Sequence, residues 1–139
     1  NIKNTIPYIF HEMFRVCIID NKRALITGGS YDNHTLSLTL LYKDNTITQM
    51  SNMQHSRKAH SSVKLQNNVI VCGGIDQEHI YSSSCERYSL EENAWTQIAS
   101  MNTAKSHLSL CCFNKDFIFS FGGENFSGFL NEIELYDSR

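Results

Sequence analysis

The sequence predicts an all-β fold assembled from repeated units of short strands, and three observations carry that expectation. Six of the seven glycines fall in three pairs, Gly28-Gly29, Gly73-Gly74 and Gly122-Gly123, which are 45 and 49 residues apart. Each pair closes an apolar run, at residues 24–27, 69–72 and 117–121. Apolar residues otherwise alternate or cluster briefly, and no segment keeps the i, i+3, i+4, i+7 spacing of an amphipathic helix. Regular spacing of a rare feature points to an internal repeat.

Further positions keep the register. A tyrosine follows the second glycine of each pair by 13, 14 and 13 residues: Tyr42, Tyr88 and Tyr136. Each ends a strand-like segment and is followed by a polar turn, with Asn45 two residues before Ile47 and Asn93 two residues before Trp95. Ile47-Thr48-Gln49-Met50 then aligns with Trp95-Thr96-Gln97-Ile98 at an offset of 48, which Met53/Met101 and Arg57/Lys105 also keep.

Each unit therefore holds about four strands, placed in the middle unit at residues 60–65, 69–72, 84–89 and 95–98. Gln66-Asn67-Asn68 joins the first two, and Asn114-Lys115-Asp116 fills the same slot in the third unit; Asn tolerates the left-handed conformations of a tight hairpin. Residues 108–113 are apolar on both faces, as suits a sheet packed between two neighbours. Four short strands per unit, stacked radially, describe propeller blades.

With 139 residues, 41% hydrophobic and 19% charged, the chain has enough apolar material for a core, which excludes disorder as the reading. A net charge of −2 without a basic run argues against a nucleic-acid or membrane-surface footprint, and no apolar stretch is long enough for a membrane helix. Cys17, Cys72, Cys85, Cys111 and Cys112 make an odd set without C-x-x-C, so neither a zinc site nor a disulfide framework is expected. They are expected to be buried, reduced thiols, which points to a reducing, cytoplasmic compartment.

The Gly-Gly pairs, the later tyrosines, Trp95 and the Met-x-x-x-Arg step resemble the kelch motif across residues 15–137. The resemblance implies kelch β-propeller blades in an incomplete ring: residues 15–53, residues 54–101 and a partial blade over residues 102–139. Blade junctions are expected near Arg57 and Lys105, with residues 1–14 supplying an outer strand to a preceding blade. Two departures stand out: Ile47 replaces the tryptophan in the first unit, and Leu108 stands where Arg57 and His60 predict a histidine after Lys105. The third unit stops before its tryptophan-bearing strand, and uncapped blades leave edges and apolar faces open. The expectation is accordingly that further blades of the same polypeptide, or a covering chain, complete the ring.

No catalytic, cofactor or metal residues are expected. The glycine pairs lack the extensions of phosphate-binding loops and are read as strand ends needing φ > 0 or close approach. Tyr42, Tyr88, Tyr136 and Trp95 repeat once per unit, which suits blade-to-blade packing with their polar atoms satisfied locally. His60 is read as structural, His34 and His79 as solvated loop residues, and Glu91-Glu92 as a solvated turn. G-x-S-x-G, H-E-x-x-H and S-x-x-K are absent from the sequence.

What differs between units is the loop after each glycine pair, at residues 30–36, 75–83 and 124–128. Variable loops on a repeated frame are where recognition concentrates. Tyr31, Asp32 and His34, then Asp76, Glu78, His79 and Tyr81, then Glu124, Asn125 and Phe126 form the candidate protein-contact set, with Tyr31, His79 and Phe126 foremost. The resemblance implies a protein-interaction module, as substrate-recognition adaptor or scaffold, with other proteins as partners. The alternatives are an enzyme of the kelch-like propeller type, an oxidase or a sugar-processing enzyme, and a purely structural subunit.

Overall fold

The computed structural model describes residues 12–139. Three antiparallel sheets follow one another along the chain. The first is β1 (Arg15–Ile18) and β2 (Arg23–Thr27), then, after the short hairpin β3 (Ser30–Tyr31) and β4 (His34–Thr35), β5 (Thr39–Lys43) and β6 (Thr46–Gln49), in the order β1-β2-β5-β6. The second holds β7 (Ser61–Leu65), β8 (Asn68–Cys72), β9 (Cys85–Ser89) and β10 (Ala94–Ile98) in sequence order. The third holds β11 (Ser109–Phe113) and β12 (Phe117–Phe121), then, past the hairpin β13 (Glu124–Asn125) and β14 (Gly128–Phe129), β15 (Ile133–Asp137), in the order β11-β12-β15. The described residues form no helix, and the all-β blade architecture is that of a propeller segment. The outer strand expected of residues 1–14 lies almost wholly outside the described residues; Glu12 bridges to Ser30.

Local chemistry explains the strand ends. Asp44 and Asn45, with φ of 49° and 61°, form the two-residue connection of β5 to β6, and Asn and Asp accept that left-handed geometry most readily. Asn114 and Lys115, with φ of 51° and 64°, turn β11 into β12, as the sequence predicts. At Gly73, φ is +70° and a Cβ would stand 2.5 Å from the Lys105 carbonyl, so the backbone of the next unit passes where a side chain would be.

Two cores lie between successive sheets. Cys17, Ile19, Leu25 and Met53 of the first meet Val69, Val71, Tyr88 and Trp95 of the second. Leu65, Ile70, Cys72 and Cys85 meet Leu108 and Ile118 on the other side. β8 is buried from Val69 to Cys72 because alternate side chains enter the two cores. Ile47, the residue in the tryptophan slot, is half-buried in β6.

One expectation needs correction. Cys17, Cys72 and Cys85 are buried free thiols, but Cys111 is exposed and Cys112 half-buried. Strand alternation places Cys112 in the second core and turns Cys111 to the far face of the third sheet, where Phe113, Phe121, Ile133 and Leu135 are exposed as well. Residues 108–113 are thus covered on one face rather than two.

Candidate functional site

The loops after the second and third glycine pairs are flanked by buried cations in the segments between sheets. Arg57, 1% exposed, donates from Nη1 to the carbonyls of Gly73 (2.8 Å) and Ser84 (3.0 Å), the two ends of the loop at residues 74–83. Its Nη2 donates to Ser84 Oγ (2.9 Å) and to the buried Glu86 carboxylate (2.8 Å). Lys105 plays the corresponding part in the third unit, with Nζ 3.1 Å from Glu132 and 2.8 Å from Glu134. Burial pushes the Glu134 carboxyl up, but hydrogen bonds from Lys105 and from the Asn102 and Thr103 N–H groups outweigh it and hold it below the usual carboxylate range. Neither ion pair was singled out in the sequence; the 48-residue register linking Arg57 to Lys105 and Glu86 to Glu134 was the available signal.

On this frame the loops form short hairpins and turns of their own. Asp32 and Asn33, with φ of 47° and 64°, close the β3–β4 hairpin and leave Tyr31, Asp32 and His34 exposed. Gln77 reaches from the second loop to the first, accepting from Thr35 N–H and donating to the Asn33 carbonyl (3.1 Å). Asp76 organises its own loop, its Oδ1 accepting from the N–H groups of Glu78 and Ile80 at 2.9 Å each. His79, at φ 61°, closes that turn, and both His79 and Glu78 are exposed.

The second and third loops meet through aromatic rings. Tyr81 and Phe126 pack edge to face with centroids 4.7 Å apart at 87°. Phe126 remains 82% exposed, and Phe129 on the same hairpin 92%. Asn125 donates to the Ala104 carbonyl (3.1 Å) and accepts from Ser127 N–H (2.9 Å). Glu124 stands 3.0 Å from His107 Nδ1. The structure thus joins Thr35 to Gln77 and Tyr81 to Phe126, and it gives Asp76, Glu124 and Asn125 positions fixed within the loops. It does not bring His34 and His79 into a common cluster: among the described residues no group of three or more His, Cys, Asp or Glu side chains converges. Sequence reading missed Gln77 as the bridge and Ile80 and Phe129 as exposed apolar groups; none of the three repeats between units.

Trp95 Nε1 donates back to the first sheet, to Thr39 Oγ1 (3.1 Å) and the Ser51 carbonyl (2.9 Å). Its ring lies 5.1 Å from that of Tyr88, whose hydroxyl donates to Asn93 Oδ1 (2.7 Å); Tyr42 makes the same bond to Asn45 (2.9 Å). His60 is fully buried beside Thr27 Oγ1 (2.8 Å). Burial first, and then the Arg57 and Arg15 charges, push it well below the usual imidazole range, so it is neutral. Burial likewise pushes the Cys17 thiol up to about 11, against the pull of Lys64.

A kelch-motif family model matches residues 56–102, the second sheet with both flanking segments. Human Kelch-like protein 31 is 32% identical over 126 residues, covering 82% of this chain and 20% of that protein. Kelch repeat and BTB domain-containing protein 2 of Ectromelia virus (strain Moscow) is 27% identical over 126 residues, with 86% and 22% covered. The Influenza virus NS1A-binding protein homolog of Xenopus laevis is 30% identical over 91 residues, with 66% and 14% covered. The chain therefore spans between 14% and 22% of the length of these relatives. Matched motif, repeated glycine pairs and stacked antiparallel sheets of three or four strands agree, and the chain belongs to the kelch-repeat family.

Proposed function

We propose that this chain is a protein-recognition module without catalytic activity, and that it engages its partner through the rim of loops at residues 30–36, 75–83 and 124–129. The single observation that carries this reading is the Tyr81–Phe126 ridge: a large aromatic group, 82% exposed, fixed by ring packing to a neighbouring loop. Holding an exposed aromatic in place costs a free protein conformational freedom before any partner arrives, and such preorganised anchors dominate interface energetics. Two of the rim's carboxylates, Asp76 and Glu124, are engaged within its own framework, which suits a rigid contact surface better than acid–base chemistry. The name of the Xenopus relative describes it as a binding protein, and the viral relative pairs kelch repeats with a BTB domain. Those names favour substrate-recognition adaptor or scaffold as the role here. No helix among the described residues is long and apolar enough to cross a membrane. The buried free thiols support a reducing, cytoplasmic setting.

The test is a triple substitution, Tyr31→Ala, His79→Ala and Phe126→Ala, compared with the parent chain in affinity for a partner recovered by quantitative co-purification. A loss of ~2 kcal/mol or more, about thirtyfold in Kd, is expected of a true anchor cluster. Binding kept within ~1 kcal/mol overturns the rim as the contact surface.

A further inference from the structure

Cys72 ends β8 and Cys85 begins β9, and the two stand directly opposite each other across the sheet. The neighbouring Gly73 N–H donates to the Ser84 carbonyl at 3.0 Å, so the two cysteines occupy a non-hydrogen-bonded site of the ladder. At such a site the facing Cα atoms lie ~4.5 Å apart and the side chains are at their closest. That separation falls within the ~4.4–6.8 Å that a disulfide spans. Both side chains enter the core that holds Leu108 and Ile118, and the two thiols hydrogen-bond to each other.

The thiol pair is no part of the repeat. The same register position holds Thr27 and Thr39 in the first sheet and Phe121 and Ile133 in the third. The pair stands at the mouth of the loop at residues 74–83, whose ends Arg57 already holds through the Gly73 and Ser84 carbonyls. Closing a bond there costs little further chain entropy, and strand ends open locally more readily than strand middles. The two thiols are also unequal. The hydrogen bond from Cys72, helped by the Met101 N–H and the Arg57 charge, outweighs burial and holds the Cys85 thiol below its usual range. The same bond, with burial added to it, pushes Cys72 well above that range.

We propose that Cys72 and Cys85 form a peroxide-responsive dithiol, which locks the loop at residues 74–83 through a reversible disulfide. Cys85 attacks as the thiolate. Its sulfur takes one oxygen of hydrogen peroxide, the O–O bond breaks, and the departing hydroxide leaves as water with the proton that Cys85 gave up. The Cys72 sulfur then displaces hydroxide from the Cys85 sulfenic acid: the S–S bond forms, the S–O bond breaks, and the Cys72 proton completes a second water. Together the two thiols lose two electrons, and one peroxide is reduced to two waters. At rest the pair is reduced, as suits a reducing compartment, where disulfides are transient and serve redox sensing. The inference stands on the thiol pair and does not depend on the function proposed for the loop rim.

Hydrogen peroxide added to the folded, reduced full chain, followed by N-ethylmaleimide in urea, trypsin and mass spectrometry, reads the pair directly. No Lys or Arg lies between residues 65 and 86, so one tryptic peptide, residues 65–87, carries both thiols and no other cysteine. That peptide should bear no maleimide and weigh about 2 Da less than its dithiol form, with dithiothreitol restoring it. Amide exchange should slow across residues 74–83 in the oxidised protein. A Cys72→Ser variant should halt at the Cys85 sulfenic acid, which dimedone captures. Two maleimides on the peptide, after peroxide sufficient to oxidise the exposed Cys111, overturn the proposal. A gain of oxygen in place of the loss of hydrogen overturns it too, and unchanged exchange at residues 74–83 overturns the lock. Dimedone on Cys72 of Cys85→Ser, with none on Cys85 of Cys72→Ser, overturns the order of attack.

Discussion

The two junctions between sheets solve one problem with different chemistry. At the first, the buried Arg57 meets a single carboxylate, Glu86, and its two Nη groups also donate to Ser84 Oγ and two carbonyls, while the buried Nε makes no hydrogen bond. At the second, Lys105 takes the cation position, and the residue in register with Ser84 is Glu132, so that the ammonium meets two carboxylates. A planar guanidinium fork can satisfy carbonyls and a carboxylate together, whereas an ammonium is a compact charge with three donors. In the first sheet the positions of Ser84 and Glu86 are held by Leu38 and Leu40. Between these two junctions cation and anion sites vary together, as expected where an unpaired buried charge is costly.

The largest expected effect follows from that pairing. Arg57→Met leaves Glu86, which is 0% exposed, without its cation and should cost about 3–5 kcal/mol, lowering Tm on the order of 10–15 °C. Lys105→Met should cost less, roughly 1–3 kcal/mol, because the Glu132 and Glu134 side chains are 36% and 13% exposed, so water can take up part of the lost cation's role. Thermal melts of the two variants rank them; equal losses would break the comparison. Arg57→Lys with Ser84→Glu recreates the second junction at the first, and should be more stable than Arg57→Lys alone.

The glycine pairs sharpen the contrast. Gly73 and Gly122 occupy the same motif position with φ of +70° and +55°, yet a Cβ at Gly73 meets the Lys105 carbonyl at 2.5 Å while one at Gly122 meets only the Leu130 carbonyl at 3.3 Å. Gly73→Ala adds a steric clash to the left-handed penalty and should cost about 2–4 kcal/mol. Gly122→Ala carries the conformational penalty and only a slight squeeze against the Leu130 carbonyl, about 1–2 kcal/mol. Denaturant midpoints for the pair measure the difference directly; a reversal of the order would mean that the tight approach of the Lys105 carbonyl carries no cost.

Legibility in the sequence followed repetition. Gly-Gly, Tyr and Trp recur at nearly fixed spacing because each does one packing task per sheet, and the strands, turns and blade class came from them. Cys111 was misplaced because its face depends on whether another sheet covers β12 and β15, which no local pattern encodes. The loop candidates were found by their variation, but Gln77 joins loops 42 residues apart in the chain through one side chain, and nothing local distinguishes it from any exposed glutamine. Charge partners were legible only in retrospect, since Arg57 and Glu86 are 29 residues apart and alternate strand residues carry no mark of which core they enter.

The smallest expected effect separates the junctions by pH. His60 and Leu108 share a repeat position, so one junction holds a buried titratable group where the other holds an alkyl group. The folded His60 has a pKa well below the ordinary 6.5, and an unfolded chain returns it to that value. Below about pH 6.5 the unfolded state binds a proton that the folded state refuses, so stability falls with falling pH, by at most ~1.4 kcal/mol per pH unit for this one group. The contribution is fully present above the unfolded value and is lost downward from it. His60→Leu copies Leu108, gives up the bond to Thr27, and should flatten the slope between about pH 7 and pH 5 even if it lowers stability at neutrality. Urea unfolding of both proteins across that window isolates the group, because every other histidine is common to them. Parallel curves would show that His60 takes up its proton in the fold, and would overturn its assignment as a neutral buried partner of Thr27.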